Sequence, residues 1–250
     1  MLEEELKEEL RKELKKDLIE INRRLSHDLW NVSYFNEKPS GLSPRLIFPV
    51  KRTNEEIRIS EQEGRILYCN ILNNLNYFYS IETPTDETYQ QTGSTPLSAL
   101  SDISIYRYIG NEFIKMANVE LKAHNPAIKN FSKDIEKIIR EGKDGNWFHV
   151  LKNIDKETLP SVFNKFILSF EKYKGKGSRK FILFCICILE KKFSIIKRFD
   201  YDPSFVKNIS NLMEEFFCLS KLNNSNNIKD KNLPEQKDIL KNNGWTIIEP

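Results

Sequence analysis

Apolar residues recur along the first stretch of the chain at steps of four and three, at Leu6, Leu10, Leu14, Leu18, Ile21 and Leu25. That spacing predicts one charged helix from Leu2 to about Leu29, supported by Glu3/Lys7 and Glu8/Lys12 one turn apart. The stripe is narrow, and steps of mostly four residues depart from the 3.5-residue period of a coiled-coil seam. We read it as an assembly or docking arm, with a helix folded back on its own domain as the alternative. Pro39, Gly41, Pro44 and Pro49 then predict an irregular connection. Residues 1–49 are thus expected to be arm and linker, 50–221 the main domain, and 222–250 a mobile tail. Within that tail, Trp245-Thr246-Ile247-Ile248 is suited to redock as an edge strand.

The main domain alternates the two periods. Ser60 is placed to cap a helix beginning Glu61-Gln62-Glu63, with Ile66, Leu67, Ile71 and Leu75 on its apolar face. Alternating aromatic and polar residues predict a strand over Tyr77 to Glu82, followed by a loop from Thr83 to Ser98 rich in Thr, Ser, Gly and Pro. A second strand runs near Asp102 to Tyr108, a turn falls at Gly110-Asn111, and a third strand over about Phe113 to Ala123 completes a meander. Ile128, Phe131, Ile135, Ile138 and Ile139 mark an amphipathic helix, ended by Gly142 and Gly145. Then come a short strand at Trp147 to Leu151, a helix carrying Leu159 to Phe170, a basic turn from Lys172 to Lys180 and a buried-type strand, Phe181 to Leu189. A helix from Ser204 to about Ser220 follows. The order predicts a mixed α/β fold: a central mixed sheet flanked by helices on both faces.

Composition narrows the partners less than the pattern does. At 250 residues and 39% hydrophobic content the chain can bury a sizeable core. Its 39 Lys+Arg nearly match 36 Asp+Glu, for a net charge of +3, so global charge gives no argument for nucleic acid. Four cysteines form no CxxC pair, which argues against a zinc cluster, and Cys185 and Cys187 read as buried thiols. No apolar run reaches the roughly 18 residues of a membrane helix, and the charged start is unlike a signal peptide. A cytoplasmic, membrane-free protein is the expectation.

The candidate chemistry lies in the meander. In Leu100-Ser101-Asp102-Ile103-Ser104-Ile105, strand alternation puts Asp102 on the face opposite Ile103 and Ile105. In Val119-Glu120-Leu121-Lys122-Ala123 it puts Glu120 and Lys122 together, away from Val119 and Leu121. Two carboxylates can hold a hard divalent cation, which binds phosphate oxygen and acidifies bound water. The lysine can orient or help deprotonate that water and offset transition-state charge. The plainer reading is a solvated strand face with a cross-strand charge pair.

Asp102 followed by Glu120-Leu121-Lys122 on adjoining strands resembles the D…ExK signature of the PD-(D/E)xK restriction-endonuclease-like nucleases, over roughly Arg58 to Leu151. Ser101 stands where the pattern often has proline, and no QxxxY follows in the next helix. The resemblance implies a restriction-endonuclease-like core and a Mg²⁺- or Mn²⁺-dependent endonuclease, DNA favoured over RNA, in a bacterial restriction or defence process. It further implies catalytic roles for Asp102, Glu120 and Lys122. Asp102, Glu120, the Leu121 carbonyl and an acid of the preceding helix would hold metal, with Glu63 preferred to Glu61. Substrate contacts are expected from Glu82, His124, Lys129 and Lys133, and His149 could face the same cleft. The segment Lys174-Gly175-Lys176-Gly177-Ser178-Arg179-Lys180 reads either as a basic hairpin near a nucleic-acid backbone or as a solvated turn. A protein partner or homo-oligomer is expected through the first helix. The alternative function is a catalytically inactive nuclease-fold module that binds nucleic acid or serves as a scaffold.

Overall fold

The computed structural model describes residues 2–32, 46–49, 57–89, 97–154, 157–223 and 233–250. The proline-rich connection up to residue 45, the Gly93-Ser94 loop and the Asn/Lys-rich stretch 224–232 lie outside the described residues. Seven strands form one sheet in sequential order: β1 (Phe78–Tyr89), β2 (Leu97–Ile109), β3 (Glu112–Ala123), β4 (Asp144–Leu151), β5 (Lys180–Ile188), β6 (Phe193–Tyr201) and β7 (Thr246–Ile248). β3, β4 and β5 are parallel, and the remaining neighbours are antiparallel. Parallel neighbours need crossovers, supplied by α3 (Ile128–Arg140) and α4 (Thr158–Lys172). Gly110 and Asn111 both take left-handed φ, at 56° and 72°, as a two-residue hairpin turn requires between β2 and β3.

The sheet is covered on both faces. α1 (Leu2–Val32) and α2 (Glu61–Asn74) pack against Ile103, Ile105, Val119, Leu121, Phe148, Val150, Leu183 and Cys185. α3, α4 and α5 (Ile209–Phe217) cover the other face, over Trp147, Ile182, Phe184 and Ile186. Because both faces are buried, β4 and β5 are buried at every residue and lack alternation. All four cysteines are free and buried. Among the described residues no helix is long and apolar enough to cross a membrane.

α1 is not a free arm. Leu14, Leu18, Ile21, Leu25 and Leu29 are all buried in the first core, each contributing about 2 kcal/mol of transfer free energy. Arg11 grips Asp144 through Nε (2.8 Å) and Nη2 (2.6 Å). Asn22 exchanges side-chain hydrogen bonds with Asn146 at 2.8 and 3.0 Å, and Asn146 also donates to the Tyr68 hydroxyl (3.0 Å). From Leu14 to Leu29 the stripe packs on the chain's own sheet, as the alternative of a helix folded back on its own domain has it.

Several boundaries move. Thr83 to Tyr89, expected as loop, continue β1 through a register shift between Pro84 and Thr88. Thr85 Oγ1 accepts the Ala99 N–H (2.9 Å) there, and the Glu141 carboxylate accepts the Asp86 and Glu87 N–H groups at 3.0 and 3.1 Å. Gly145, expected to end a helix, sits inside β4, where an added Cβ would meet Ile138 at 2.7 Å. β6 has no counterpart in the sequence reading. The helix expected over Ser204 to Ser220 is a 3-10 turn (Pro203–Lys207), α5 and α6 (Leu219–Asn223), parted by Cys218 in the left-handed region at φ 49°. In the tail, α7 (Leu233–Asn242) was not foreseen, whereas Thr246–Ile248 does redock, pairing with Ser194–Ile196.

If α1 is core, Leu18→Ala costs about 2–5 kcal/mol of unfolding free energy in urea denaturation. A loss under about 0.5 kcal/mol, as at an exposed helical position, would contradict this packing.

Candidate active site

The register of β2 on β3 pairs Ile103 with Val119, both turned towards α1 and α2. Glu120 and Lys122 consequently face α3, and α3 answers with two charged residues, Asp134 and Lys137. Lys137 Nζ lies 2.6 Å from Glu120 Oε2, 2.8 Å from Asp134 Oδ1, and donates to the Leu100 carbonyl at 2.8 Å. Lys122 Nζ lies 2.8 Å from Asp134 Oδ2 and 3.3 Å from Glu61 Oε1 at the start of α2. Asp102 is held from both sides: Oδ2 accepts the Leu121 backbone N–H (2.8 Å) and Oδ1 accepts from Arg65 on α2 (2.7 Å). Arg65 also reaches Glu82 at 3.1 Å. The ion pairs fall into two groups, Glu82–Arg65–Asp102 and Glu61–Lys122–Asp134–Lys137–Glu120, which the Leu121 N–H on Asp102 brings side by side across β2 and β3.

Its charge is unbalanced. Five carboxylates, Asp102, Glu120, Asp134, Glu61 and Glu82, meet three cations, Arg65, Lys122 and Lys137. Glu120 is 0% exposed, and its Oε1 has no hydrogen-bond partner. Burial pushes its carboxyl well above the usual carboxylate range; Lys137 opposes this, while Asp134 and Asp102 add to the rise. For Lys122, burial pulls downward, but Asp134, Glu61 and Asp102 together raise the ammonium above its ordinary value. It is therefore a fixed positive donor at neutral pH, suited to holding an anion and not to accepting a proton. Asp134 stays ionised: burial raises its carboxyl, and Lys137 and Lys122 outweigh that.

The structure brings together Asp102, Glu120, Lys122 and, through Arg65, Glu82. Leu121 touches the cluster by its N–H, with its side chain in the core. The expectation for Glu63 is corrected: its carboxylate closes a capping box on Ser60 at the start of α2, and Glu61 is the helix acid beside Lys122. His124 turns away at φ 62°, with Nε2 2.7 Å from the Ile59 carbonyl. Lys129 and Lys133 are exposed on the side of α3 away from the sheet. His149 is the register partner of Lys122, but it lies fully buried with Nε2 on the His124 carbonyl and Nδ1 unpartnered.

Sequence reasoning missed Arg65, Asp134 and Lys137. The signal for the last two was present: an acid and a base three apart, flanking the Phe131, Ile135 and Ile138 stripe where a wide apolar face should continue. Lys129 and Lys133, chosen instead, fall on the solvent side of the same helix.

The acids Asp102 and Glu120 offer the hard oxygens that Mg²⁺ or Mn²⁺ would take, and the buried Glu120 Oε1 has no hydrogen-bond partner. Arg65 and Lys137 occupy the neighbouring carboxylate oxygens. Among the described residues, no three His, Cys, Asp or Glu side chains are already grouped to hold a metal ion. In comparisons with known proteins, no family model, curated protein or solved structure matches this chain. The functional reading therefore stands on the site itself.

Two outcomes follow from the electrostatics. Glu120 has a raised folded-state pKa, so its contribution to stability is favourable below the unfolded carboxylate pKa and is lost as pH rises. Glu120→Gln is expected to melt higher than wild type at pH 7 in metal-free buffer, and a lower melting temperature would mean the ion pair with Lys137 is net stabilising. His149 is depressed from 6.5 to about 4 by burial, so its contribution is present above 6.5 and is lost as pH falls towards 4. That interval corresponds to about 3 kcal/mol. His149→Phe should flatten the acid limb of the stability curve by an amount of that order, and an unchanged limb would refute the assignment.

Proposed function

We propose that this chain is a metal-dependent phosphodiesterase acting on nucleic acid, DNA in preference to RNA, with Asp102, Glu120 and Lys122 as its catalytic core. The observation that carries the reading is the buried Glu120 carboxylate, its Oε1 unpartnered, in one cluster with Asp102 and Lys122. The element order supports it: helix, three-strand meander, helix, then a strand parallel to the third, in the arrangement the D…ExK resemblance implies. A restriction or defence setting rests on that resemblance alone.

Asp102 and Glu120 would hold Mg²⁺ or Mn²⁺, which supplies charge neutralisation at phosphate and a more acidic bound water. Lys122, kept protonated by Asp134 and Glu61, donates to a non-bridging phosphate oxygen as negative charge builds there. Asp134 holds the two lysines apart, one on each carboxylate oxygen, and so positions Lys122. Arg65 on Asp102 and Lys137 on Glu120 stabilise the pair of acids in the absence of another cation.

The same two contacts favour a second reading, a nuclease-fold module that binds nucleic acid without cutting it, its acids neutralised permanently by Arg65 and Lys137. Incubation with supercoiled plasmid, linear DNA and single-stranded RNA in Mg²⁺, Mn²⁺ or EDTA separates the two. Catalysis predicts metal-dependent cleavage, reduced at least about 100-fold in both Asp102→Ala and Lys122→Ala. Binding without cleavage by wild type, unaltered by Lys122→Ala, would establish the second reading instead.

A further inference from the structure

A cavity of about 300 Å³ opens at the start of β5, on the α1 side of the sheet. It lies on the face of the sheet opposite α3, whose Asp134 and Lys137 reach the candidate active site from the other face. Four cations line it: Arg11, Lys12 and Lys15 from α1, and Arg198 from β6. Glu8 and Asp200 are the acids in the lining, and Phe181 supplies an apolar wall. With Asp144, which holds Arg11, three acids meet these four cations, so the site is net positive by one charge.

The two guanidinium groups are held in place. Asp144 takes the Nε and Nη2 groups of Arg11 at 2.8 and 2.6 Å, and the Arg11 guanidinium stands 5.6 Å from the Phe181 ring centroid. Asp144 is itself anchored by the Phe181 backbone N–H at 2.9 Å. Arg198 pairs with Asp200 two residues along β6. A fixed guanidinium loses less freedom when an anion binds, and the N–H groups of Arg11 not engaged by Asp144 remain to donate to a phosphate oxygen. Lys12 is exposed and Lys15 half-buried on consecutive turns of α1, so they add mobile point charges at the rim. The volume is at the small end of ligand sites, sufficient for a compact organic anion.

We infer that this cavity binds a phosphate-bearing ligand of about mononucleotide size, through Arg11, Arg198, Lys12 and Lys15. The ligand is either a free nucleotide or one phosphodiester unit of a nucleic-acid strand, which present the same chemistry to the cavity. This inference does not depend on the phosphodiesterase reading, because no residue is shared between the two sites.

Calorimetric titration of the full chain with AMP, adenosine and inorganic phosphate tests it. AMP is expected to bind at one site per chain, adenosine to give no heat, and phosphate to compete with AMP. The Lys12→Ala/Arg198→Ala variant should weaken AMP at least about tenfold while melting as wild type does. Should that variant unfold, Lys12→Ala alone, at an exposed position, is expected to weaken AMP measurably. Asp102→Ala should bind AMP as wild type does, which keeps this outcome separate from any failure at the candidate active site. A short oligothymidylate that competes with AMP identifies the strand as the source, and one that does not identifies the free nucleotide. No heat from AMP, phosphate or oligonucleotide up to about 10 mM, or equal AMP affinity in the charge-removing variants, would overturn the inference.

Discussion

A carboxylate with no exposure to water, Glu120, sits within the central sheet, and the surrounding elements are arranged to tolerate it. Removing a charge from water costs several kcal/mol unless partners stand ready, so a buried Glu demands a cation within reach. Lys137 meets that demand from α3, which then needs Asp134 to separate Lys137 from Lys122. Lys122 in turn ties to Glu61 on α2, and Arg65, one turn further along α2, ties to Asp102. Two helices on opposite faces of the sheet are thereby fastened to β2 and β3 by these two groups of charges. A hydrophobic residue at position 120 would pack there at lower cost. A buried acid at such a place adds little to stability, which is consistent with the chemistry proposed for it.

The other half of the molecule solves a different problem with neutral groups. α1 covers the apolar face of β4, β5 and β6 largely with aliphatic side chains, Leu14, Leu18, Ile21, Leu25 and Leu29, which give little specificity of register. The reciprocal Asn22–Asn146 pair, with Tyr68 as third member, supplies it, since sliding the helix would strand three buried polar groups. Arg11 on Asp144 fixes the same helix nearer its start. That ion pair also holds the guanidinium at the mouth of the basic cavity, so one contact serves both packing and the proposed anion site.

Most of the architecture was legible because its signals are local. Ser60 announced a capped helix, Gly110-Asn111 a hairpin, and the isoleucines of α3 an amphipathic face, and each is present. β6 was not legible: Lys197, Arg198 and Asp200 interrupt its apolar run. Lys197 is satisfied only by the distant Phe216 and Asn243 carbonyls, each at 2.7 Å. Thr83 to Tyr89 looked like loop because the groups that complete the strand, Ala99 and Glu141, come later in the chain. Strand period alone gave the facing of Asp102, Glu120 and Lys122, away from Ile103, Val119 and Leu121. It could not show Arg65, Asp134 and Lys137, whose roles exist only once α2 and α3 dock. Glu63 was assigned to the site although its capping-box spacing already gave it a partner.

In the function proposed above, Glu120 and Asp102 form a divalent-cation site, and Arg65 and Lys137 hold its oxygens until the ion binds. Direct calorimetric titration of the metal-free chain with Mn²⁺, wild type beside Glu120→Gln, addresses it without requiring a substrate. Saturable Mn²⁺ binding to wild type is expected, weakened at least about tenfold when the Glu120 carboxylate becomes an amide. Equal Mn²⁺ affinity in the two proteins, or none in wild type, would contradict it and leave the cluster as an internal charge network.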